Sequence, residues 1–520
     1  MATDVIIVGS GINALSAAAL LGKKGKKVLV LEREDRIGGC MRSGEIAPGF
    51  THDVWAATFV LFLVGPVYAA LKDDLERHGL AFSHTDQPTA VLRPDGSAAV
   101  LTMDRQANRA MLDALSEGDG AGFAAGADMV GANADLIFSL LGQGIWTRAT
   151  LQLLLKQAWK RGPRSLAAFF GDALAPASGW LRGGFSSETS RALFAPWVLH
   201  VGLTPDSAYS SMMAKVIAFS LEAAGAPIAT GGAATVPAAF RKLIEEQGGE
   251  VRTGADVTQI NVSGGRARGV TLADGQTIRA RDVIASVTPT QLYTRLLDKP
   301  SGAAQEATAN YRYGKGNFQL HYALERAPKW RSEGLDKVAL IHLTPGLDGV
   351  SKACGEADRG LLPDRPTICV GQPTALDPSR APEGKAVLWL QMPEAPRRIA
   401  GDARGEIAPP ADGAWTDELR EAYADRIEAI LAEHIDGFRD SVIAREAHSP
   451  ADLEAGNINL VGGDPYGGQC TLDQFFLWRP FKSSINHRTE VPGLWHIGAS
   501  THPGPGLGGG SGYLVAQELR

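Results

Sequence analysis

The chain contains 520 residues, carries a formal net charge of −6 and has four cysteines. Apolar residues make up 44% of it and charged residues 21%, a balance that excludes a disordered, fibrous or collagen-like protein. The acidic balance does not suit a nucleic-acid-binding protein, and we expect no nucleic acid as a partner. The 61 glycines are about 12% of the chain, against an average of about 7%, so their positions are informative.

The N-terminal region predicts a βαβ unit. A continuous apolar run at residues 5–8 is typical of a strand buried on both faces of a parallel sheet. Alanine and leucine at residues 15–21 favour a helix, and a second apolar strand at residues 28–31 ends at Glu32. We therefore predict an α/β fold.

Further elements follow along the chain. Residues 71–224 are predicted to be largely helical, and residues 227–289 form a second α/β region. Thr416 is the predicted N-cap of a late helix, because its hydroxyl can accept a free N–H at the helix start. The remaining predictions are helices at residues 236–247, 417–435 and from 514, and strands at 250–253, 257–262, 267–272, 282–287, 318–323, 386–391 and 494–497.

The turn of the first βαβ unit carries a dinucleotide-binding motif, Gly9-x-Gly11-x-x-Ala14. Gly9 permits the tight turn, Gly11 lets the backbone approach a pyrophosphate, and Ala14 allows close packing of helix on strand. The helix N-terminus offers free N–H groups to the phosphates. Glu32, about 20 residues further on, is placed to accept hydrogen bonds from a ribose. The alternative is a purely structural turn.

A second motif, Gly38-Gly39, follows Glu32 and distinguishes FAD from NAD. It resembles the second motif of the two-domain flavoproteins that include monoamine oxidases and carotenoid desaturases. That family often has arginine where Cys40 stands, so Arg36 or Arg42 would supply the missing phosphate contact. The FAD contacts predicted for this segment are Arg33, Gly38, Gly39, Arg42 and Ser43.

A third glycine-rich segment lies at residues 498–513, between a strand and a helix. It resembles the Gly-Ala-Ser-x-His-Pro-Gly-Gly-Gly motif of the phytoene-desaturase-like flavoproteins, although Pro505 and Leu514 depart from the usual Gly and Asn. The resemblance covers residues 5–71, 227–290 and 420–520, and its subgroup includes the pyridine nucleotide-disulfide oxidoreductase domain-containing proteins. The predicted FAD contacts here are Gly498, Ala499, Gly508, Gly509 and Gly510.

The resemblance implies non-covalent FAD and a two-domain fold. The Rossmann-type FAD-binding domain would be discontinuous, formed by residues 1–71, 227–290 and 481–520. Residues 72–226 and 291–480 would form an inserted α+β substrate domain, helical at about residues 80–220. Val257 would contact the adenine through its backbone. The implied reaction is removal of a hydride to flavin N5 from an apolar or amphipathic small molecule, giving C–C desaturation.

The electron acceptor is predicted from the single dinucleotide motif. A reductase with a dedicated NAD(P)H domain would show two such motifs, so we expect oxygen, a quinone or an electron carrier. His502 and His321 are the candidate acid–base residues, and each has a structural role as its alternative. We predict no metal and no disulfide chemistry, because the four cysteines form no Cys-x-x-Cys pair and lie at no zinc-ligand spacing from a histidine.

Other functions remain open at this point. An amine oxidase acting on C–N bonds shares the dinucleotide-binding fold, and an isomerase using reduced flavin is also compatible with the sequence. A different class altogether is a non-catalytic FAD-containing interaction or assembly protein.

The cellular location is predicted to be cytoplasmic, because no basic and apolar leader precedes the first strand. The apolar run at residues 58–71 is too short to span a membrane. Residues 145–170 combine tryptophans and leucines with basic side chains. We favour a lid helix packed on the substrate domain; the alternative is a helix lying in a membrane interface, which would make the protein peripheral to the membrane.

Overall fold

The first of two seven-stranded sheets collects its strands from distant parts of the chain. A computed structural model describes residues 3–519. Thr3–Val8 is the central strand, with Val28–Leu31 on one side and Thr277–Ser286 on the other, all parallel. Glu250–Arg252 and Leu494–Ile497 extend the parallel part at its two ends. The apolar runs fit this position, since residues 5–8 and 28–31 are buried on both faces.

The long strand Thr277–Ser286 also belongs to an antiparallel extension of the same sheet. Its first residues pair with Arg266–Leu272, which pairs in turn with Val257–Ser263. Three separated segments of the chain thus build one sheet.

The second sheet is mixed and forms the body of the other half. Gly316–Leu324 lies between Val442–His448 and Ala386–Ala395, and the sheet continues through Ile368–Gly371 and Leu340–Leu343. Its far edge is the hairpin of Thr89–Leu92 and Ala98–Leu101. One face packs on the helix Asp417–Ala432, and the other faces the helical region. Three two-stranded ladders are formed by Ser43–Glu45 with Thr51–Asp53, Phe82–Ser83 with Ile228–Ala229, and Leu361–Leu362 with Gly401–Asp402.

Helices cover both sheets. Ile12–Lys23 packs between Thr235–Glu246 and the C-terminal helix Gly510–Glu518. The other α-helices are Val60–Leu63, Pro66–Arg77, Arg105–Leu115, Asp119–Ala132, Ala134–Gly142, Arg148–Arg161, Pro163–Ala173, Ala177–Gly184, Glu188–Phe194, Ser210–Ala224, Gly302–Ala309, Leu347–Asp358, Pro373–Leu376, Asp417–Ala432, Phe438–Ser441 and Pro450–Gly456. Short 3-10 helices are Ala195–Val201, Pro378–Arg380, Val461–Gly463 and Phe476–Trp478, and Gln291–Leu296 is a π-helix.

Most predicted elements occur, with two corrections. Thr416 caps the helix Asp417–Ala432, because its hydroxyl accepts the Leu419 N–H. The prediction of helix from residue 71 onward was wrong over residues 82–101, where three short strands form; the helical region begins at Arg105. The C-terminal helix begins at Gly510 rather than at residue 514.

Among the described residues, no single helix is long and apolar enough to cross a membrane. The helices Asp119–Ala132 and Ala134–Gly142 reach that length only together, and they bend by 67° at their junction.

Candidate functional site

The predicted dinucleotide-binding turn lies at the end of the central strand. Gly9 has a φ of +90°, and a Cβ there would lie 3.0 Å from the Ser286 carbonyl oxygen, so the turn requires glycine. Gly38 and Gly39 fold over this turn, and a Cβ at Gly39 would lie 3.1 Å from the Gly11 Cα. The structure therefore brings the first two motifs together as one surface of backbone.

Ser10, a residue that the sequence did not single out, joins these motifs. Its N–H and hydroxyl both donate to the Glu32 carboxylate, at 3.0 and 2.5 Å. The same hydroxyl accepts the Gly38 N–H at 3.0 Å. Glu32 is 8% exposed and also accepts the Glu34 N–H. These bonds fix the carboxylate at the strand end, where the sequence predicts the ribose contact.

The space beside Gly11 fits a pyrophosphate. A Cβ at Gly11 would meet no atom within 4 Å, in contrast to the crowded Gly9 and Gly39. Gly11 is the N-cap of the helix Ile12–Lys23, and no side chain caps this helix start within the described chain. Free N–H groups at a positive helix end, next to open space, suit the phosphates of FAD.

The remaining residues predicted around the nucleotide lie near this surface or support it. Arg42 donates to the Gly39 carbonyl and stacks on Trp55, with the guanidinium carbon 4.5 Å from the ring centre. Arg36 instead pairs with Asp35 in solvent. The predicted contact Arg33 pairs with Glu34, and Ala14 is fully buried under the turn.

Val257 lies at the start of a strand beside Glu32, since the neighbouring Ala255 N–H donates to the Glu32 carbonyl. Its own carbonyl accepts a hydrogen bond from Arg295 at 3.0 Å. An adenine contact through the backbone of Val257 stays a prediction.

The C-terminal glycine-rich segment runs from the strand Leu494–Ile497 back to the first helix. Gly498 has a φ of +118°, and its N–H donates to Ser511. A Cβ at Gly512 would lie 1.9 Å from the Asn13 carbonyl oxygen, so this glycine permits contact of the two helices.

The predicted contacts in this segment divide into two groups. Gly508, Gly509 and Gly510 are packed by the chain itself: a Cβ at Gly509 would lie 2.3 Å from the Ser16 hydroxyl, and one at Gly510 2.7 Å from Pro503. Ala499 remains partly exposed, and its carbonyl accepts a hydrogen bond from Arg479. The glycines thus have a packing role that the sequence did not indicate.

His502 is held as a neutral imidazole. It is 4% exposed, and its Nε2 donates to the Gln143 carbonyl at 2.8 Å. Burial lowers the pKa of His502 to about 3. At neutral pH the ring therefore carries no extra proton to donate, and the hydrogen bond ties the C-terminal loop to the helical region.

His321 lies inside the second sheet, 1% exposed. It makes edge-on ring contacts with His52 and His448, with ring centres 5.6 and 5.5 Å apart. Burial, and the proximity of these two histidines, hold the pKa of His321 well below its usual range. The described chain gives neither ring nitrogen a well-formed hydrogen bond.

A buried ion cluster that the sequence did not predict holds the glycine pair at residues 231–232. Arg380 is fully buried and donates to Asp53 at 3.1 Å and to Asp377 at 3.0 Å. Asp377 accepts the Gly231 N–H, and Asp53 accepts the Ala233 N–H. Ser43, a predicted cofactor contact, also donates to Asp53. The cluster joins the two halves of the molecule at the start of the helix Thr235–Glu246.

The fold and this site define a dinucleotide-binding flavoprotein. The family described as "Flavin containing amine oxidoreductase" matches residues 15–429, and the chain belongs to that family. The protein is therefore an FAD-dependent oxidoreductase with a two-domain α/β fold, which confirms the predicted fold class and cofactor.

Relatives extend the comparison over nearly the whole chain. It is 28% identical to the pyridine nucleotide-disulfide oxidoreductase domain-containing protein 2 of Mus musculus, covering 99% of this chain and 94% of that one. It is 26% identical to the zeta-carotene-forming phytoene desaturase of Myxococcus xanthus, covering 97% and 90%. Among solved structures, a triple mutant of putrescine oxidase matches with a TM-score of 0.61 at 16% identity, covering 99% and 98%. The last likeness shows the fold alone.

Proposed function

We propose that the protein removes a hydride from a carbon atom of an apolar or amphipathic small molecule and thereby introduces a C=C bond. The observation that carries this proposal is the extent of the similarity to the Myxococcus xanthus phytoene desaturase. It covers 97% of this chain, and so includes the helical region where we expect the substrate to be selected. The likeness to putrescine oxidase supports no particular substrate, because it lies at 16% identity.

The described residues would contribute binding, orientation and exclusion of water. When bound, FAD would accept the hydride at N5, and a proton would leave the neighbouring carbon. The two candidate histidines are weak bases in this setting, since burial lowers the pKa of both. We propose that His502 positions the C-terminal loop and that the proton passes to solvent without help from a strong protein base. Electrons would then pass to oxygen, a quinone or a carrier.

The test is anaerobic reduction of the bound flavin. Purified FAD-loaded protein would be mixed with phytoene in detergent or with putrescine, and the visible flavin absorption followed. We expect bleaching with the polyene and a product lighter by two hydrogens. Bleaching with putrescine alone would replace the proposal by amine oxidation. A polyene product of unchanged mass would indicate an isomerase, and failure with both substrates would favour a non-catalytic FAD protein.

We further propose that the helix Arg148–Arg161 contacts an anionic membrane surface. The helix is inverted relative to an ordinary surface helix: Thr150 and Gln157 are buried, whereas Leu151, Leu155 and Trp159 are 58, 61 and 88% exposed. The three apolar residues are spaced by four and share one face. The favoured lid interpretation expected this face to be packed, and in the structure it is exposed.

Charge supports a lipid surface as the occupant of this face. Exposed basic side chains flank the apolar stripe and complement anionic head groups. They are Arg148, Lys156, Lys160 and Arg164. Trp146 at the preceding turn is 48% exposed and suits the interface, where an apolar ring with one polar group is stable.

Co-sedimentation with vesicles tests this contact. We expect the protein to pellet with phosphatidylglycerol-containing vesicles at low salt and much less with phosphatidylcholine alone, because only the first lipid carries a net negative charge. High salt should weaken the pelleting, since it screens the attraction between the basic side chains and the anionic head groups. The variant Leu155→Ser/Trp159→Ser should lose pelleting. Ile443→Ser, which removes an apolar side chain 42% exposed on another face, is the matched control. Equal pelleting of all three proteins, or none with the native chain, would contradict the proposal.

A further inference from the structure

Three side chains with metal-binding atoms meet on one face of the second sheet. His342 lies on the strand Leu340–Leu343 and Cys369 on the neighbouring strand Ile368–Gly371. The antiparallel register places these two residues directly opposite each other, so both side chains point to the same face. His200 reaches the same place from the short helix Ala195–Val201.

The donor atoms are close together and shielded from solvent. The two Nε2 atoms of His200 and His342 lie 2.9 Å apart. These nitrogens and the Cys369 sulfur all lie within 4.8 Å of one another. His342 and Cys369 are each 1% exposed, while His200 is partly exposed.

Apolar and aromatic packing encloses the two imidazoles. The Trp197 ring lies 4.6 and 5.0 Å from the two imidazole centres. The rings are hydrogen-bonded to each other through Nε2, and an ion between them would replace that bond. The Nδ1 of His342 has no hydrogen-bond partner in the described chain. A thiolate is the metal-binding form of cysteine, so an ion bound here must displace the Cys369 proton.

We propose that His200, His342 and Cys369 form a zinc site. Two imidazoles and one thiolate are a donor set that Zn²⁺ prefers, with metal–nitrogen distances of about 2.1 Å and metal–sulfur distances of about 2.3 Å. A tetrahedral ion at those distances separates its ligand nitrogens by roughly 3.4 Å, so the two rings move apart by about half an ångström. Binding one Zn²⁺ converts the Cys369 thiol to a thiolate and releases one proton, leaving the site with a net charge of +1.

The fourth position of the ion is left to water or another small ligand. Three protein ligands with one open position are typical of zinc that does chemistry rather than zinc that only holds a fold. A cavity of about 400 Å³ lies beside the helix that carries His200, and Leu199 and Gly202 contribute to its wall. The cavity thus reaches the helix that carries His200, although none of the three ligands is among its lining residues.

The proposal does not depend on the substrate of the flavin reaction. The FAD-loaded protein would be treated with EDTA, dialysed against Zn²⁺, and analysed by mass spectrometry for bound metal. We expect one zinc per chain and release of one proton per ion in a weakly buffered solution. Replacement by Co²⁺ should give a thiolate-to-cobalt charge-transfer band.

Variants assign the ion to these residues. Cys369→Ser and His342→Ala should each weaken zinc binding by more than about 100-fold, and Cys369→Ser should also remove the cobalt band. Cys354→Ser changes another buried cysteine of the same apolar core and should bind zinc as the native chain does. A native chain that binds no zinc, or zinc binding unchanged by Cys369→Ser, would overturn the proposal. Proton release and the cobalt spectrum of the native chain decide the question even where a variant fails to fold.

Discussion

The two seven-stranded sheets differ in the kind of candidate site that each carries. Around the first sheet, called the cofactor half after its predicted FAD contacts, the site consists of backbone: Gly9, Gly11 and Gly39 lie together at the end of the parallel strands, and a helix start faces open space. The second sheet, called the substrate half after its predicted role, buries side chains that can bind protons or metals. His321, Glu394 and His342 are each 1% exposed and carry atoms without a well-formed hydrogen bond in the described chain.

This contrast shows where each half is sensitive to change. A site made of backbone has no titratable side chain, so its ligand binding should not depend on pH. The same site should lose binding when a substitution adds a Cβ to one of its glycines. Buried titratable groups are costly unless they find a partner, so the second half should respond to charge and pH.

The Arg380 cluster between the halves should give the largest effect on stability. Arg380→Met leaves the carboxylates of Asp53 and Asp377 buried without their cation, a change that costs about 3–5 kcal/mol of unfolding free energy. Urea unfolding measures it. Arg404→Met, which breaks exposed ion pairs, is the control and should cost less than about 1 kcal/mol. A similar small loss for both variants would mean that the halves are held together elsewhere.

Glu394 should make the substrate half sensitive to pH. Burial raises its pKa from 4.5 to about 7. Between these values the unfolded chain releases a proton that the folded chain keeps, so stability falls as the pH rises from 4.5 to 7 and stays low above 7. Glu394→Gln mimics the protonated form and should stabilise the protein by about 3 kcal/mol above pH 7.

The same change should have no effect on stability at pH 4, where the carboxyl is protonated in both states. Thermal unfolding across pH 4–9 measures the difference, with the exposed Glu406→Gln as the control. A Glu394→Gln variant that follows the pH curve of the native chain would show that this carboxyl is ionised in the fold.

Gly11→Ala should separate cofactor binding from folding. The added Cβ meets no atom of the described chain, so stability should hardly change, yet it occupies the space assigned to the pyrophosphate. We expect FAD affinity to fall by at least about tenfold, or about 1.4 kcal/mol. Gly355→Ala also places a Cβ in open space, far from the site in sequence, and should keep native affinity. Flavin fluorescence titration measures the FAD affinity of both variants. Native affinity in Gly11→Ala would show that the pyrophosphate does not bind beside Gly11.

His502 should show the smallest effect. If it only positions the loop through the Gln143 carbonyl, His502→Gln keeps a donor there and should change kcat/KM by no more than about fivefold, the value of one hydrogen bond. An essential base would cost about 100-fold or more and would alter the pH profile. His502→Leu, which removes the donor, tests whether loss of position alone raises KM.

Much of the cofactor half could be predicted from the sequence. Consecutive residues encode it: an apolar run, a glycine turn, a helix and a strand ending in Glu32. The prediction did not reach Ser10, because a serine in the turn carries no signal until Glu32 and Gly38 are folded beside it. The sequence also could not show that neighbouring helices occupy the space beside Gly509 and Gly512.

The substrate half was predicted less well. The content of alanine and leucine predicts helix over residues 82–101, because both residues favour helix. Thr89–Leu92 instead pairs with Leu340–Leu343 and with Ala98–Leu101, and this long-range pairing decides the outcome. The expectation of no metal site relied on spacing along the chain. His342 and Cys369 become neighbours only through strand register, and His200 joins them through packing.

The fold class, the family resemblance and the predicted dinucleotide-binding turn follow from the sequence, because adjacent residues encode a site that consists of backbone. Which side chains meet depends on how the chain folds. It placed Arg380 between two carboxylates, exposed the apolar face of the helix Arg148–Arg161, and gathered two histidines and a cysteine on one sheet face. Strand register and packing between distant segments set these contacts, so local patterns in the sequence do not predict them.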